Sequence, residues 1–171
     1  ELVYVGSIFD PITRTDSESE LDAIKAELAA GGYIKNIRAR KQKPEKLKPK
    51  RYRSSDGFLI LVGRNNVQND ELTLRTAKGN DMWLHTQKIP GSHTVVLNEG
   101  REISNQALEQ AAVIAAYNSR AQDSAQVPVD YTLIRNVKKP NGAKPGMVIY
   151  ETYQTAYVTP DRGLVESLEE K

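Results

Sequence analysis

A continuous apolar run, Phe58 to Val62, most constrains the fold of this chain, because it stands between two glycines, Gly57 and Gly63. An apolar run of this length without polar alternation is typical of a strand that is buried on both faces. The residues that follow it, 64–66, are polar and prone to turns, and they predict a helix from Val67 to about Lys78. The run therefore predicts a central strand with a helix close behind it.

Two more short strands are predicted around the same polar region, Met82 to His85 and Thr94 to Leu97, with a turn at 90–93 between them. Both histidines and the single tryptophan of the chain, Trp83, fall in this block. The three strands should bring their polar neighbours together as one rim. The rim residues are Arg64, Asn65, Asn66, Asn69, Asp70, Asp81, His85, Ser92 and His93.

The rest of the chain supplies further elements of a mixed fold. Ser104 is a candidate N-cap for an alanine-rich helix that reaches Ala121 and is apolar nearly all round, which is typical of a buried helix. A strand is predicted over 127–137, a basic Gly/Pro loop over 138–146, and a final strand pair over 147–150 and 155–158. We predict an α+β domain with a mainly antiparallel sheet. The Ser104 helix should pack on one face with the Val67 helix beside it, and a short helical hairpin should precede the domain.

Four regions are expected along the 171 residues: a helical region at 1–34, a basic linker at 35–53, a domain at 54–161 and a flexible tail at 162–171. A helix ending near Ala30 could be capped by Asp16, Ser17 or Ser19, whereas 1–9 fits either a strand or a helix. The chain has no initiator Met and no signal peptide, so we expect an excised fragment. It has no apolar run of membrane-spanning length. It also has no Cys, which excludes disulfides, thiolate catalysis and Cys-ligated zinc.

The charge is strongly uneven along the chain. The linker holds ten Lys and Arg against one acid, Glu45, a net charge of +9, so with +2 overall the remainder carries −7. Pro44 and Pro49 prevent a helix there. The linker can be interpreted as a solvated, flexible connector or as an arm that binds phosphates, and the local charge indicates a polyanionic partner.

The rim admits several interpretations. Ser92 and His93 are adjacent, but nucleophilic catalysis needs spatial pairing and a third group that orients the histidine. The spacing of the histidines and aspartates matches no specific metal-ligand pattern. The favoured interpretation is that the rim side chains satisfy buried backbone groups at strand ends. The alternative is a surface that reads bases or phosphates, with an exposed face of Trp83 for stacking.

Several motifs occur in one order along the chain, and they resemble the NFACT-R domain. They are Asp56-Gly57, Gly63-Arg64-Asn65-Asn66 with Gln68-Asn69-Asp70 and Leu72-Thr73, Asp81-Met82-Trp83-Leu84-His85, Pro90-Gly91-Ser92-His93, Val129-Asp130-Tyr131-Thr132, and Lys138-Lys139-Pro140 with Gly142-Ala143-Lys144-Pro145-Gly146. This module is C-terminal in the NFACT family, whose bacterial members are RqcH-like proteins, also called fibronectin-binding proteins of the FbpA/PavA type. The resemblance runs from about Arg53 to Asp161, and it favours the helical interpretation of 1–9. Thr94 and Gln122 stand where an apolar and a basic residue are expected.

The resemblance implies a module that binds nucleic acid (rRNA and tRNA) in a ribosome-associated quality control factor. The partners would be large ribosomal subunit RNA and tRNA, the location cytoplasmic, and no catalysis, cofactor, metal or membrane insertion is expected of this chain. The alternative is an adhesin module for fibronectin or fibrinogen at the cell surface. The resemblance assigns no contact residues. From the charge distribution and the polar rim, the expected RNA-binding residues are Arg38, Arg40, Lys41, Lys43, Lys46, Lys48, Lys50, Arg51, Arg64, Asn65, Asn66, Lys138, Lys139 and Lys144, and rim residues without an assigned role are Asn69, Asp70, Trp83, His85, Ser92 and His93.

Overall fold

The computed structural model describes residues 3–5 and 47–171. Its strands are β1 (Val3–Val5), β2 (Lys50–Arg53), β3 (Leu59–Val62), β4 (Met82–Thr86), β5 (Thr94–Val96), β6 (Val127–Leu133), β7 (Val137–Lys138), β8 (Val148–Tyr150), β9 (Gln154–Val158) and β10 (Glu169–Glu170). Its helices are α1 (Asn66–Glu71), which continues as a π-helical turn over Leu72–Thr76, α2 (Asn105–Tyr117) and α3 (Arg162–Leu168), with a 3₁₀ turn at Ile134–Asn136.

Seven strands form one sheet in the order β10-β2-β3-β5-β4-β6-β9, and every pairing within it is antiparallel. Strand β3 lies between β2 and β5, and all four of its residues are buried. The apolar run therefore forms a strand covered on both faces, as its composition predicts. The α+β class with a mainly antiparallel sheet is confirmed.

Helix α2 covers one face of this sheet. The hydroxyl of Ser104 accepts a hydrogen bond from the N–H of Ala107 at 3.0 Å, so Ser104 caps the helix as predicted. Small side chains such as Ala111 let the helix approach the sheet closely, against residues that include Ile60 and Leu84. This layer forms the larger of the two apolar cores.

Helix α1 and its π-helical turn lie on the opposite face, so the prediction that they pack beside α2 is wrong. Leu72 packs with Leu61 and Trp83 in the second core, whereas the neighbouring strand residues Ile60 and Leu84 face α2. Side chains alternate between the two faces of a strand, which assigns the two clusters to opposite sides. An apolar helical stripe shows that a helix packs on a sheet but not on which face.

A second sheet of three strands, in the order β1-β8-β7, lies beside this second core. Strand β8 pairs with β1 and β7, whereas β9 pairs with β6 in the large sheet. The two strands predicted as a final pair therefore exist but belong to different sheets. Val3 pairs with Tyr150 in β8, so the helical interpretation of the first nine residues is wrong at Val3–Val5.

Two segments predicted to be unstructured contribute to the large sheet. The last four linker residues form β2, in which Tyr52 is only 2% exposed and pairs with Ile60. The tail forms α3, with Val165 buried, and β10, which pairs with β2. Linker residues 35–46 and the helix predicted to end near Ala30 lie outside the described residues.

Candidate nucleic-acid interface

The polar residues after β3 form hydrogen bonds to the backbone around α1. The side chain of Asn65, which is 4% exposed, accepts from the N–H of Gln68 at 2.9 Å and caps α1. The side-chain oxygen of Asn69 accepts from the N–H of His93 at 3.1 Å, and it lies so close to Gly63 that a Cβ there would collide with it. These two side chains therefore satisfy buried backbone groups, as the favoured interpretation predicts.

Trp83, Thr73 and His93 form a buried chain of hydrogen bonds. The indole Nε1 of Trp83 donates to Thr73 Oγ1 at 3.2 Å, and this hydroxyl lies 2.7 Å from His93 Nδ1. His93 Nε2 lies 3.1 Å from the carbonyl oxygen of Gly146, which only accepts, so Nε2 carries the proton. The Thr73 hydroxyl then donates to Nδ1. Because Trp83 is 0% exposed, no face of it is free for a base, and the stacking interpretation is wrong.

Burial also determines the protonation state of the histidines. Desolvation holds the pKa of His93 well below its ordinary value, with a further lowering by the neighbouring His85. Burial likewise lowers the pKa of His85, although its Nδ1 donates to the carbonyl oxygen of Thr86 at 2.6 Å. The two imidazoles meet at 89° with their ring centres 5.5 Å apart. Both are therefore neutral structural groups near pH 7.

The same contacts argue against a Ser92–His93 nucleophilic pair and against a metal site at the rim. Both ring nitrogens of His93 are already paired with Thr73 and Gly146, so His93 cannot accept a proton from Ser92. Ser92 itself is 4% exposed. Within residues 47–171, no group of three or more His, Asp or Glu is arranged to hold a metal ion.

An ion pair joins α1 to the Gly/Pro loop, residues 138–146. Lys139 Nζ lies 3.0 Å from one carboxylate oxygen of Asp70, and the other oxygen accepts from the N–H of Gly146 at 2.8 Å. Gly146 has φ +83° and approaches Asn66 so closely that a Cβ would lie 2.8 Å from its Oδ1. Lys139 is thus engaged in holding the loop, unlike the exposed Lys138 and Lys144.

The end of the basic segment lies against the same helix. Arg64 Nε donates to the carbonyl oxygen of Lys48 at 2.8 Å, and Gln68 Nε2 donates to that of Leu47 at 2.6 Å. Two hydrogen bonds therefore fix the point where the basic segment joins the fold, close to the start of α1. Lys48, Arg64 and the Gly/Pro loop all surround this one helix.

The other cations expected to bind RNA are distributed differently. Lys50 Nζ donates to Asn118 Oδ1 at the end of α2 at 3.2 Å, and Arg51 forms an ion pair of 3.7 Å with Glu170 in β10, so both side chains are engaged within the fold. The remaining expected cations lie outside the described residues: Arg38, Arg40, Lys41, Lys43 and Lys46.

Three residues that organise this region carried no role in the sequence-based prediction. The hydroxyl of Thr73 connects Trp83 to His93. The side chain of Gln68 binds the backbone of Leu47. The fully buried Asp130 accepts from the Tyr150 hydroxyl at 2.6 Å. Each lies within a recognised motif, but the motif alone does not indicate which side chains turn inward.

None of the helices in the described part of the chain combines the length and apolar composition needed to cross a membrane.

Comparison with known proteins identifies the family of this fold. A family model described as the NFACT protein RNA binding domain matches residues 48–152. The chain is 45% identical over 171 residues to the Rqc2 homolog RqcH of Bacillus subtilis and 41% identical over 168 residues to that of Streptococcus suis. Both matches cover 98% of this chain, which spans 30% of the length of each relative.

A solved structure supports the same assignment. It is the C-terminal part of the fibronectin/fibrinogen-binding protein from Streptococcus suis, with 40% sequence identity and a TM-score of 0.84. The match covers 94% of this chain and 64% of the solved one. The resemblance seen in the sequence motifs is thereby confirmed. This chain belongs to the family of NFACT protein RNA-binding domains.

Proposed function

We propose that this chain binds large ribosomal subunit RNA and tRNA, as the RNA-binding module of a ribosome-associated quality control factor. The observation that carries the proposal is the grouping of basic segments around α1, where Arg64 contacts the backbone of Lys48 and Asp70 of α1 holds the Gly/Pro loop. Cations in such a group neutralise backbone phosphates, which supply most of the affinity for nucleic acids. The family description and the names of the RqcH relatives support this proposal.

The chemistry of the rim is in keeping with a role in binding rather than in catalysis. His93 has both ring nitrogens occupied, and burial keeps it neutral. We accordingly propose that this module has no enzymatic activity of its own and works in the cytoplasm, where ribosomes are found.

A salt series tests the proposal. Affinity for tRNA and for a large-subunit rRNA fragment should fall as the salt concentration rises. The slope of log K against log salt concentration should be about −0.7 per phosphate contact for single strands and about −0.9 for duplex. If roughly half of the ten linker cations engage, the slope should be near −3 to −5 with little sequence preference. No measurable RNA affinity at about 0.15 M salt would overturn the proposal.

Matched variants locate the binding surface. Replacing Lys41, Lys43, Lys46 and Lys48 together by Gln should flatten the slope and weaken binding to every RNA about equally. Lys50 and Arg51 are left intact because they contact Asn118 and Glu170 within the fold. The control replaces four exposed cations elsewhere, Arg75, Lys78, Lys88 and Arg120, and should change the slope less. Equal effects of the two variants would mean that net charge alone drives binding.

A separate substitution asks whether the region around α1 reads bases. Arg64→Ala should move the slope by about one unit or less, and it should reduce discrimination between RNAs if Arg64 contacts bases. Uniform weakening of all RNAs would instead assign Arg64 to the phosphate backbone.

A second candidate function is binding of fibronectin or fibrinogen at the cell surface. It is favoured by the similar solved structure, which comes from a protein described as fibronectin/fibrinogen-binding. This function predicts tight fibronectin binding that persists at high salt and survives the linker substitutions. That result, together with negligible RNA affinity at about 0.15 M salt, would replace the first proposal.

A further inference from the structure

The backbone of the Gly/Pro loop forms two hydrogen-bonded turns. The N–H of Ala143 donates to the carbonyl oxygen of Pro140 at 3.1 Å, and the N–H of Met147 donates to that of Lys144 at 3.1 Å. In each turn the third residue is a glycine with positive φ, +76° at Gly142 and +83° at Gly146. Two consecutive turns with glycine at this position are type II turns, and they give the loop a defined shape.

Contacts with the underlying side chains of Lys139, Asp70 and His93 hold the loop in this conformation. Lys139 Nζ donates to the carbonyl oxygen of Lys144 at 2.7 Å while pairing with Asp70, and the carbonyl oxygen of Gly146 accepts from the buried His93. The loop is therefore held both to α1 and to the buried hydrogen-bonded chain. Such prior ordering reduces the entropy lost when a ligand binds.

The outer side of the loop is rich in unused hydrogen-bond donors. The backbone N–H groups of Asn141, Gly142 and Lys144 have no hydrogen-bond partner among the described residues, and all three residues are exposed. The ammonium groups of Lys138 and Lys144 are likewise without partners in the described part of the chain. The carboxylate of Asp70, which contacts the loop, is already paired with Lys139. Two exposed ammonium groups therefore face solvent, that of Lys144 on the ordered turns and that of Lys138 at the end of β7 just before them.

We propose that this loop is a phosphate-binding site, in which a phosphodiester group of RNA is held by Lys144 and Lys138 and by at least one of the three free backbone N–H groups. Backbone N–H groups of a turn beside lysine ammonium groups form a suitable site for an anion. Lys139 is a positioning residue here: it shapes the loop and does not contact the phosphate. The inference rests on the proposed RNA binding, and it assigns one contact point to it.

The expected effect can be measured on the whole 171-residue chain with a short single-stranded RNA of mixed sequence. The double variant Lys138→Gln/Lys144→Gln should bind this RNA about tenfold more weakly at low salt and flatten the salt slope by roughly 1.5 units, about 0.7 for each lost contact. The control Arg120→Gln removes an exposed cation near the end of α2, on the other face of the large sheet, and should leave both quantities nearly unchanged. Both lysines are exposed, so the thermal midpoint of the double variant should match that of the wild type.

NMR of the isotope-labelled chain distinguishes a contact from a general loss of charge. On titration with the RNA, the amide resonances of Asn141, Gly142 and Lys144 should shift more than those around Arg120. If the wild type binds RNA while these amides stay unchanged and the double variant binds equally well, the loop site is wrong and the RNA-binding function stands. If the wild type binds no RNA at all, the proposed function fails and the loop site fails with it.

Discussion

The phenolic hydroxyl of Tyr150 donates a 2.6 Å hydrogen bond to the carboxylate of Asp130, and this contact connects the two sheets of the fold. Asp130 is 0% exposed and also accepts from Gln87 Nε2 at 3.1 Å and Thr155 Oγ1 at 2.7 Å. Burial and the hydrogen bond to Asp130 raise the pKa of Tyr150 far above its ordinary value, so Tyr150 stays protonated. A buried carboxylate is thus satisfied entirely by neutral donors.

Removal of this hydroxyl should weaken the connection between the sheets. Tyr150→Phe should lower the free energy of unfolding by about 1.5 to 3 kcal/mol, because a buried charged acceptor loses a donor. The matched control is Tyr157→Phe, since Tyr157 is 65% exposed and its hydroxyl has no hydrogen bond to the described residues. Urea unfolding measures both variants. Equal stability of the two variants would show that the contact contributes nothing.

Thr94 offers a stabilising substitution. Its hydroxyl is buried without a hydrogen-bond partner among the described residues, and the residue pairs with Val62 and Leu84 in the apolar layer under α2. Thr94→Val keeps the shape and removes the unsatisfied group, so it should raise the free energy of unfolding by about 1 kcal/mol. Thermal or urea unfolding of the single variant measures the gain.

Thr132→Val is the matched comparison for Thr94→Val. The hydroxyl of Thr132 donates to the carbonyl oxygen of Thr152 at 2.6 Å and accepts from Asn136 Nδ2 at 2.9 Å. The same chemical change should therefore destabilise the protein there by about 1 to 3 kcal/mol. A loss of stability in Thr94→Val would show that its hydroxyl finds a partner after all.

Local patterns predicted most elements of this fold correctly, because they depend on nearby residues. The apolar run at 58–62, the Ser104 cap and the alanine-rich helix behind it all appear close to the expected positions. Pairing and layering depend on contacts distant in sequence. Strand β8 (Val148–Tyr150) pairs with Val3–Val5, far along the chain, and α1 packs on the face opposite α2. Nothing in the period of either segment specifies these partners.

The many cations of the linker hid the strand pattern of β2 in the sequence. In β2 the residues alternate around a buried Tyr52, but the surrounding cations and two prolines favour a disordered linker in any reading based on composition. The rim shows the reverse case. Its Asn, Ser and His residues have the composition of an exposed binding surface, yet Asn69, Ser92 and His93 are each 4% exposed or less. Polar composition alone does not distinguish a binding surface from a satisfied interior network.

Trp83 should be required for stability rather than for binding. Trp83→Ala should lower the free energy of unfolding by roughly 3 to 5 kcal/mol, because it empties a fully buried site and leaves Thr73 without its indole donor. Trp83→Phe keeps part of the packing and should cost less. RNA affinity should stay normal wherever either variant is folded. A variant that melts normally but loses RNA binding would contradict the structural role.

The two buried histidines should make the fold sensitive to mild acid. Both have a pKa below the ordinary value in the folded protein, so between that lowered value and about 6.5 the unfolded chain binds protons that the folded chain does not. Stability should therefore be fully present above about pH 7 and fall as the pH decreases, approaching about 1.4 kcal/mol per pH unit for each histidine. Urea midpoints from about pH 7.5 down to about pH 5.5 isolate the effect, because no other side-chain type ordinarily titrates in that range. His93→Gln should reduce the slope of the free energy of unfolding against pH by the amount expected for one proton, about 1.4 kcal/mol per pH unit, whatever the absolute stability of the variant. Stability that stays constant or rises on acidification would mean that the histidines accept protons in the folded state.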